Sequence, residues 1–271
     1  MRFKLLSKDF LGERHAPELE AGTIQHIDHL RRYLFAQQYV YGRRVLDVAC
    51  GTGYGSDLLQ RGRARRVISA DLSRAALDYA RAHWPDGRFV RADAARLPLP
   101  SGAFDVVVSF ETIEHLPDPR AFLAEARRVL QPEGRLILST PNRAVVSPGS
   151  DAPFSPYHTF EPTRDDLLAR LAGAGWRVLE LYGMIYSPQA QPLVRPANGP
   201  YRRASGQIAW AAYLRTALWA LLPPLIARAL CRVRGIPTLA IGDSILAHGA
   251  PEGASYFVAL CAPQAEKADV S

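Results

Sequence analysis

Three aspartates in this chain stand in or just after short apolar runs that end in turns. Asp47 lies in Val45-Leu46-Asp47-Val48-Ala49, Asp71 follows Val67-Ile68-Ser69-Ala70, and Asp93 closely follows Arg88-Phe89-Val90. The first run continues into Cys50-Gly51-Thr52-Gly53-Tyr54-Gly55-Ser56. Glycines let backbone approach a ligand closely, and an acid beside them suits a ligand that carries positive charge. A dinucleotide-binding dehydrogenase needs GxGxxG here, to bring its backbone up to a pyrophosphate. Counted from Gly51, the third glycine position is Ser56, which disfavours that alternative. Two histidines are candidates for proton transfer: His115 in Glu111-Thr112-Ile113-Glu114-His115, and His158 in Pro156-Tyr157-His158-Thr159-Phe160-Glu161. A near-neutral imidazole is the side chain suited to taking a proton from a hydroxyl, with Glu111 or Glu114 as the other candidate bases. No His/Asp/Glu group shows metal-ligand spacing. Cys50, Cys231 and Cys261 are too scattered for a zinc site or a disulfide framework, so no metal is expected.

These residues need a scaffold that gathers strand ends. Apolar runs recur at Phe104–Ser109, Arg135–Ser139, Trp176–Leu181 and Tyr256–Leu260, with helical stretches such as Arg74–His83 and Arg120–Leu130 between them. Asp118 is the expected cap of the second helix, with Pro119 at its first position. This alternation predicts an α/β fold: a seven-stranded, mainly parallel sheet covered by helices on both faces. Ligands of such sheets bind at the C-terminal ends of the strands, where Asp47, Asp71 and Asp93 fall. An amphipathic helix is expected before the first strand, with Ile24, Ile27, Leu30 and Leu34 on one face.

VLDVACGTG, ISADLS, RADAARLPLPSGAFDVVVSFETIEHLPDP and GRLILSTPN resemble, in order and spacing, the motifs of class I S-adenosylmethionine-dependent methyltransferases. The resemblance implies S-adenosylmethionine as cofactor, a Rossmann-like fold and methyl transfer. It places Ala49, Gly51 and Gly53 under the methionine portion with Asp47 nearby, and Asp71 on the ribose. Leu72 would pack on the adenine, Asp93 and Ala94 would meet its amino group, and Phe110 would close the floor of the site. Ala49 departs from the glycine usual in the family. Gly12-Glu13-Arg14, Pro17 and His29-Leu30-Arg31-Arg32-Tyr33 resemble the preamble of methyltransferases of bacterial surface-polysaccharide and glycolipid pathways. That implies O-methylation of a sugar or glycan. A quinone or lipid-like acceptor is the alternative, and a binding protein without catalysis on the same fold is a third reading.

The 271 residues are expected to form a single domain: an N-terminal cap (1–40), a cofactor-binding core (41–183), a helical insertion (184–254) and a last strand (255–262). The net charge of +7 suits an anionic partner without choosing one. Nothing resembles a nucleic-acid-binding motif, so a small-molecule or glycan acceptor is the expected partner. The N-terminus lacks the apolar core of a signal peptide. The run Thr216–Ala227 is broken by Pro223-Pro224 and is shorter than the ~20 residues that span a bilayer. A cytoplasmic location is expected. Arg202, Arg203, Arg228, Arg232 and Arg234 flank the apolar stretch Ile208–Leu222, a pattern suited to peripheral membrane contact through 202–234.

Overall fold

A computed structural model describes residues 24–150, 152–188 and 244–264. Its centre is one eight-stranded sheet of order β3-β2-β1-β4-β5-β8-β6-β7. The strands are β1 (Arg44–Val48), β2 (Arg66–Asp71), β3 (Phe89–Arg91), β4 (Phe104–Phe110), β5 (Leu130–Pro141), β6 (Trp176–Tyr186), β7 (Ser244–His248) and β8 (Tyr256–Pro263). β1 to β5 pair in parallel, whereas β8 runs antiparallel between β5 and β6. The helices are α1 (Ile24–Ala36), α2 (Tyr54–Arg61), α3 (Arg74–His83), α4 (Pro119–Val129), the single turn α5 (Arg143–Val146) and α6 (Arg164–Gly173).

Alternation of side chains along each strand divides the core in two. Leu46, Val48, Val107, Leu136, Leu138, Phe257 and Ala259 meet Phe122, Leu123 and Ala126 of α4 and Leu167 and Leu171 of α6. On the opposite face Val45, Val106, Val108, Ile137, Val258 and Leu260 meet Tyr33 and Phe35 of α1 and Tyr54 and Leu59 of α2. Central strands buried on both sides give continuous apolar runs, which made them legible in the sequence. As expected, Asp118 caps α4 by accepting from the Arg120 and Ala121 amides at 3.0 and 3.3 Å. Thr163 and Asp166 form a reciprocal capping box that starts α6.

Three expectations need correction. The sheet has an eighth strand: Ser244–His248 pairs antiparallel with β6, which itself runs on to Tyr186. Both flanks of the segment assigned to a helical insertion, 184–186 and 244–248, are therefore strand. A five-residue edge strand is too short to announce itself by periodicity. Ile208–Leu222 and the surrounding arginines lie outside the described residues. On α1, Leu34 is 37% exposed while Asp28 and Arg32 are buried, because both polar groups have partners inside. Tyr186 donates to Asp28 at 2.7 Å, and Arg32 pairs with Glu111 at 3.5 Å. Among the described residues no helix is long and apolar enough to cross a membrane.

Candidate functional site

The chain leaves β1 through an unusual backbone. Ala49, Gly51 and Gly53 all have positive φ, at 59°, 55° and 80°. For Ala49 this left-handed conformation costs roughly 1 kcal/mol, so the tight turn is held by its surroundings. The Cys50 amide donates to the Ala70 carbonyl at 3.0 Å, and the Trp84 indole donates to the Thr52 carbonyl at 3.1 Å. At Gly53 a Cβ would lie 2.8 Å from the Phe89 ring, so packing and φ both demand glycine. At Gly51 a Cβ would meet nothing within 4 Å. The loop is open there.

Asp47 is fully buried and accepts hydrogen bonds from Ser56 Oγ at 2.6 Å and from the Tyr33 hydroxyl at 3.2 Å. Burial outweighs those bonds and raises its carboxyl to about 7. Asp71 closes β2 and bridges two elements, with Oδ2 accepting from the Gly51 amide at 2.9 Å and Oδ1 from the Ser73 amide at 2.8 Å. Each oxygen keeps a second lone pair for a ribose hydroxyl. Leu72 beside it is 60% exposed. Asp93 is exposed and turns the chain by accepting from the Ala95 amide, while Ala94 packs against the core. Phe110 is buried with its ring edge-on to Tyr33, 5.0 Å away.

An open glycine cradle, an exposed leucine and three carboxylates along one sheet edge fit S-adenosylmethionine. The backbone at Ala49–Gly53 would take the methionine portion, Asp71 the ribose, and Leu72 with Asp93 the adenine. A cavity of about 470 Å³ lies elsewhere, where β1 and β4 begin, lined by Arg43 and Asp105 among others. It is open, and it is not at the strand ends that carry the acids.

The two histidines, distant in sequence, come together. Their rings are 4.8 Å apart and edge-on. His115 ends a 3-10 turn, Ile113–His115, that follows β4, while His158 lies on the loop between α5 and α6. The Thr159 amide and hydroxyl both donate to the Glu114 carbonyl, at 2.7 and 2.9 Å, and so tie the two segments. His158 Nδ1 lies 2.7 Å from Glu161 Oε1, and His115 Nδ1 lies 3.2 Å from the Tyr157 carbonyl. Glu161 also accepts from Ser147 Oγ and from the Phe154 amide. Burial opposes its charge, but the bonds from His158, Ser147 and Phe154 hold it below the usual glutamate range.

Glu114 is fully buried. Burial first, and then the charge of Glu111, push its carboxyl well above the ordinary value. A carboxylate oxygen of Glu114 and a ring nitrogen of each histidine lie within 4.8 Å of one another. Glu111 has a positive φ of 50° and accepts from Ser139 Oγ at 2.6 Å; strained backbone of this kind is concentrated at functional sites.

The sequence pattern missed Ser56 as a partner of Asp47 and Glu161 as a partner of His158. The spacing His158-x-x-Glu161 was the one available signal for the second. Tyr33 and Arg32 carry a sequence signal only through the preamble resemblance.

The family described as "Methyltransferase domain" matches residues 46–138. A protein of Mycobacterium tuberculosis named a probable S-adenosylmethionine-dependent methyltransferase is 36% identical over 80% of this chain and 76% of its own length. A ubiquinone biosynthesis O-methyltransferase of Marinobacter nauticus is 32% identical over 64% of this chain and 80% of its own. Among solved structures, an S-adenosylmethionine-dependent methyltransferase from Thermotoga maritima has a TM-score of 0.56 at 16% identity, covering 87% of this chain and 89% of that one. A cyclase, SpnF, has the same TM-score at 21% identity, covering 88% of this chain and 81% of that one. The shared fold alone therefore does not decide the chemistry. The sequence relatives do.

Proposed function

Because the chain belongs to the S-adenosylmethionine-dependent methyltransferase family, we propose that it methylates a hydroxyl of a sugar or glycan, in surface-polysaccharide or glycolipid synthesis. The observation that carries this reading is the company the paired histidines keep. Phe154 and Tyr157, on the same loop as His158, are 63% and 61% exposed. Exposed aromatic faces beside a group of polar side chains suit an acceptor with an apolar ring face and a rim of hydroxyls.

When bound, S-adenosylmethionine supplies an electrophilic methyl carbon on a positively charged sulfur. The residues of this chain have two tasks. Asp71, Leu72 and Asp93, with the backbone of Ala49–Gly53, hold the cofactor in one place and one orientation. Fixing donor and acceptor in line is worth up to about 7–11 kcal/mol in an intramolecular displacement. The cluster of Glu114, His115 and His158 receives the acceptor hydroxyl and handles its proton, with Glu161 fixing the His158 ring.

A quinol acceptor is the second reading, favoured by the ubiquinone O-methyltransferase relative. Transfer of labelled methyl from S-adenosylmethionine across nucleotide sugars, lipid-linked glycans and quinols separates the two. Label in a glycan that depends on His158 is the expected result. Label in quinols alone overturns the glycan reading.

A further inference from the structure

We infer that Glu114, His115 and His158 hold a divalent transition-metal cation, of the zinc or manganese class, beside the acceptor. The binding stands on this cluster alone; what the cation does there rests on the hydroxyl-acceptor reading above.

The spacing of the ligand residues along the chain concealed the cluster, because they come from two segments joined through Thr159. A carboxylate oxygen and two imidazole nitrogens within 4.8 Å form the donor set of a His₂Glu centre, which leaves coordination positions for water or substrate. Bonds of about 2.0–2.2 Å bring such ligands to roughly 3 Å from one another. The side chains need close by only one or two ångströms on binding.

A second observation is independent of the clustering. Glu114 has no exposed surface, and its Oε1 has no hydrogen-bond partner among the described residues, while Oε2 accepts from Thr140 at 3.1 Å. An acceptor left unsatisfied at this depth is costly, and a cation satisfies it. A third observation is the outer arrangement. The Nδ1 of each ring faces an oxygen, Glu161 Oε1 for His158 and the Tyr157 carbonyl for His115. Metal-ligating histidines are oriented this way, with Nε2 turned to the ion. Glu161 is itself held by Ser147 and the Phe154 amide, so the His158 ring is fixed before any ion arrives.

With the cation in place the histidines are ligands, not proton acceptors. An acceptor hydroxyl coordinated to the cation becomes more acidic and releases its proton to solvent. Its oxygen then bonds to the methyl carbon as the carbon–sulfur bond breaks, and that electron pair remains on sulfur.

The test uses the full chain, stripped with chelator and titrated without acceptor, with Mn²⁺ followed by paramagnetic resonance and Zn²⁺ by calorimetry. One cation per chain is expected. Glu114→Gln, His115→Ala and His158→Ala should each weaken binding at least tenfold, and Glu161→Gln about 10–100-fold, the usual effect of losing a group behind a ligand. Circular dichroism and unchanged S-adenosylmethionine affinity identify folded variants. Should Glu114→Gln fail to fold, His115→Ala, at a partly exposed turn, carries the test. Absence of stoichiometric uptake, or uptake equal in His115→Ala and His158→Ala, overturns the inference. Full-rate methylation of a sugar in excess chelator overturns the cation's role in the reaction while leaving the glycan reading intact. Cation uptake lost in the variants, with no sugar methylated, overturns only the glycan reading.

Discussion

Asp47 accepts two hydroxyl hydrogen bonds, yet burial still raises its carboxyl to about 7. Its folded value therefore exceeds the unfolded value of 3.8. Between those limits the folded protein binds the extra proton, so the contribution of this group to stability is greatest below 3.8. It declines by about 1.4 kcal/mol per pH unit as pH rises, and levels off above about 7. In the cofactor-free protein, Asp47→Asn removes that decline. Urea denaturation at pH 5 and pH 8 should show the stability of the variant relative to the wild type rising by about 3 kcal/mol at the higher pH. A difference that does not change with pH would show that Asp47 ionises normally. The same residue illustrates what the sequence withholds. Its place beside a glycine turn was legible, whereas its hydroxyl partners Tyr33 and Ser56 lie on helices that only folding brings alongside.

At the scale of elements, the docking of α1 on α2 includes one contact that has no slack. A Cβ on Gly55 would overlap the Tyr33 ring, and that ring also carries the hydroxyl bonded to Asp47 and lies 5.0 Å from Phe110. Gly55→Ala should cost about 1–3 kcal/mol of stability, the range for overpacking a filled core. It should also lower S-adenosylmethionine affinity, through displacement of Tyr33. Combined with Tyr33→Leu, the loss should be smaller than the sum of the two single losses, because neighbours sharing one contact are not additive. Additive losses in urea titration would mean that the contact is not where the strain falls. The sequence reading assigned α1 an apolar face of Ile24, Ile27, Leu30 and Leu34. In the fold, Leu34 is partly exposed and Arg32 is buried. Periodicity locates a helix, but it does not show that Glu111 and Asp28 will surround an arginine on its inner face.

For the whole molecule, the proposed cofactor site is an edge shared by the C-terminal ends of β1, β2 and β3, so occupancy would add to the ties, such as Gly51 to Asp71, that already join those strand ends. S-adenosylmethionine at a hundred times its Kd should add about 2.7 kcal/mol of stability. For a chain of this size that is a rise in Tm of roughly 5–10 °C. NAD at the same concentration should give none. Asp71→Ala, which removes both the proposed ribose contact and the tie to the Gly51 amide, should abolish most of the shift. Equal stabilisation by NAD in a thermal melt would refute the cofactor assignment.

The sequence by itself determined the alternation of strands and helices, the capping of α4 by Asp118, and the row of Asp47, Asp71 and Asp93 at strand ends. Each of these is local: a buried strand, a cap or a tight turn draws its signal from a few consecutive residues. Only the tertiary structure decided the edge strand β7, the burial of Arg32 beside Glu111, and the meeting of Glu114 and His115 with His158 and Glu161. These depend on loops that carry distant segments to one end of the sheet. Side-chain type and spacing along the chain carry no record of that convergence, because the energy that enforces it resides in contacts between segments.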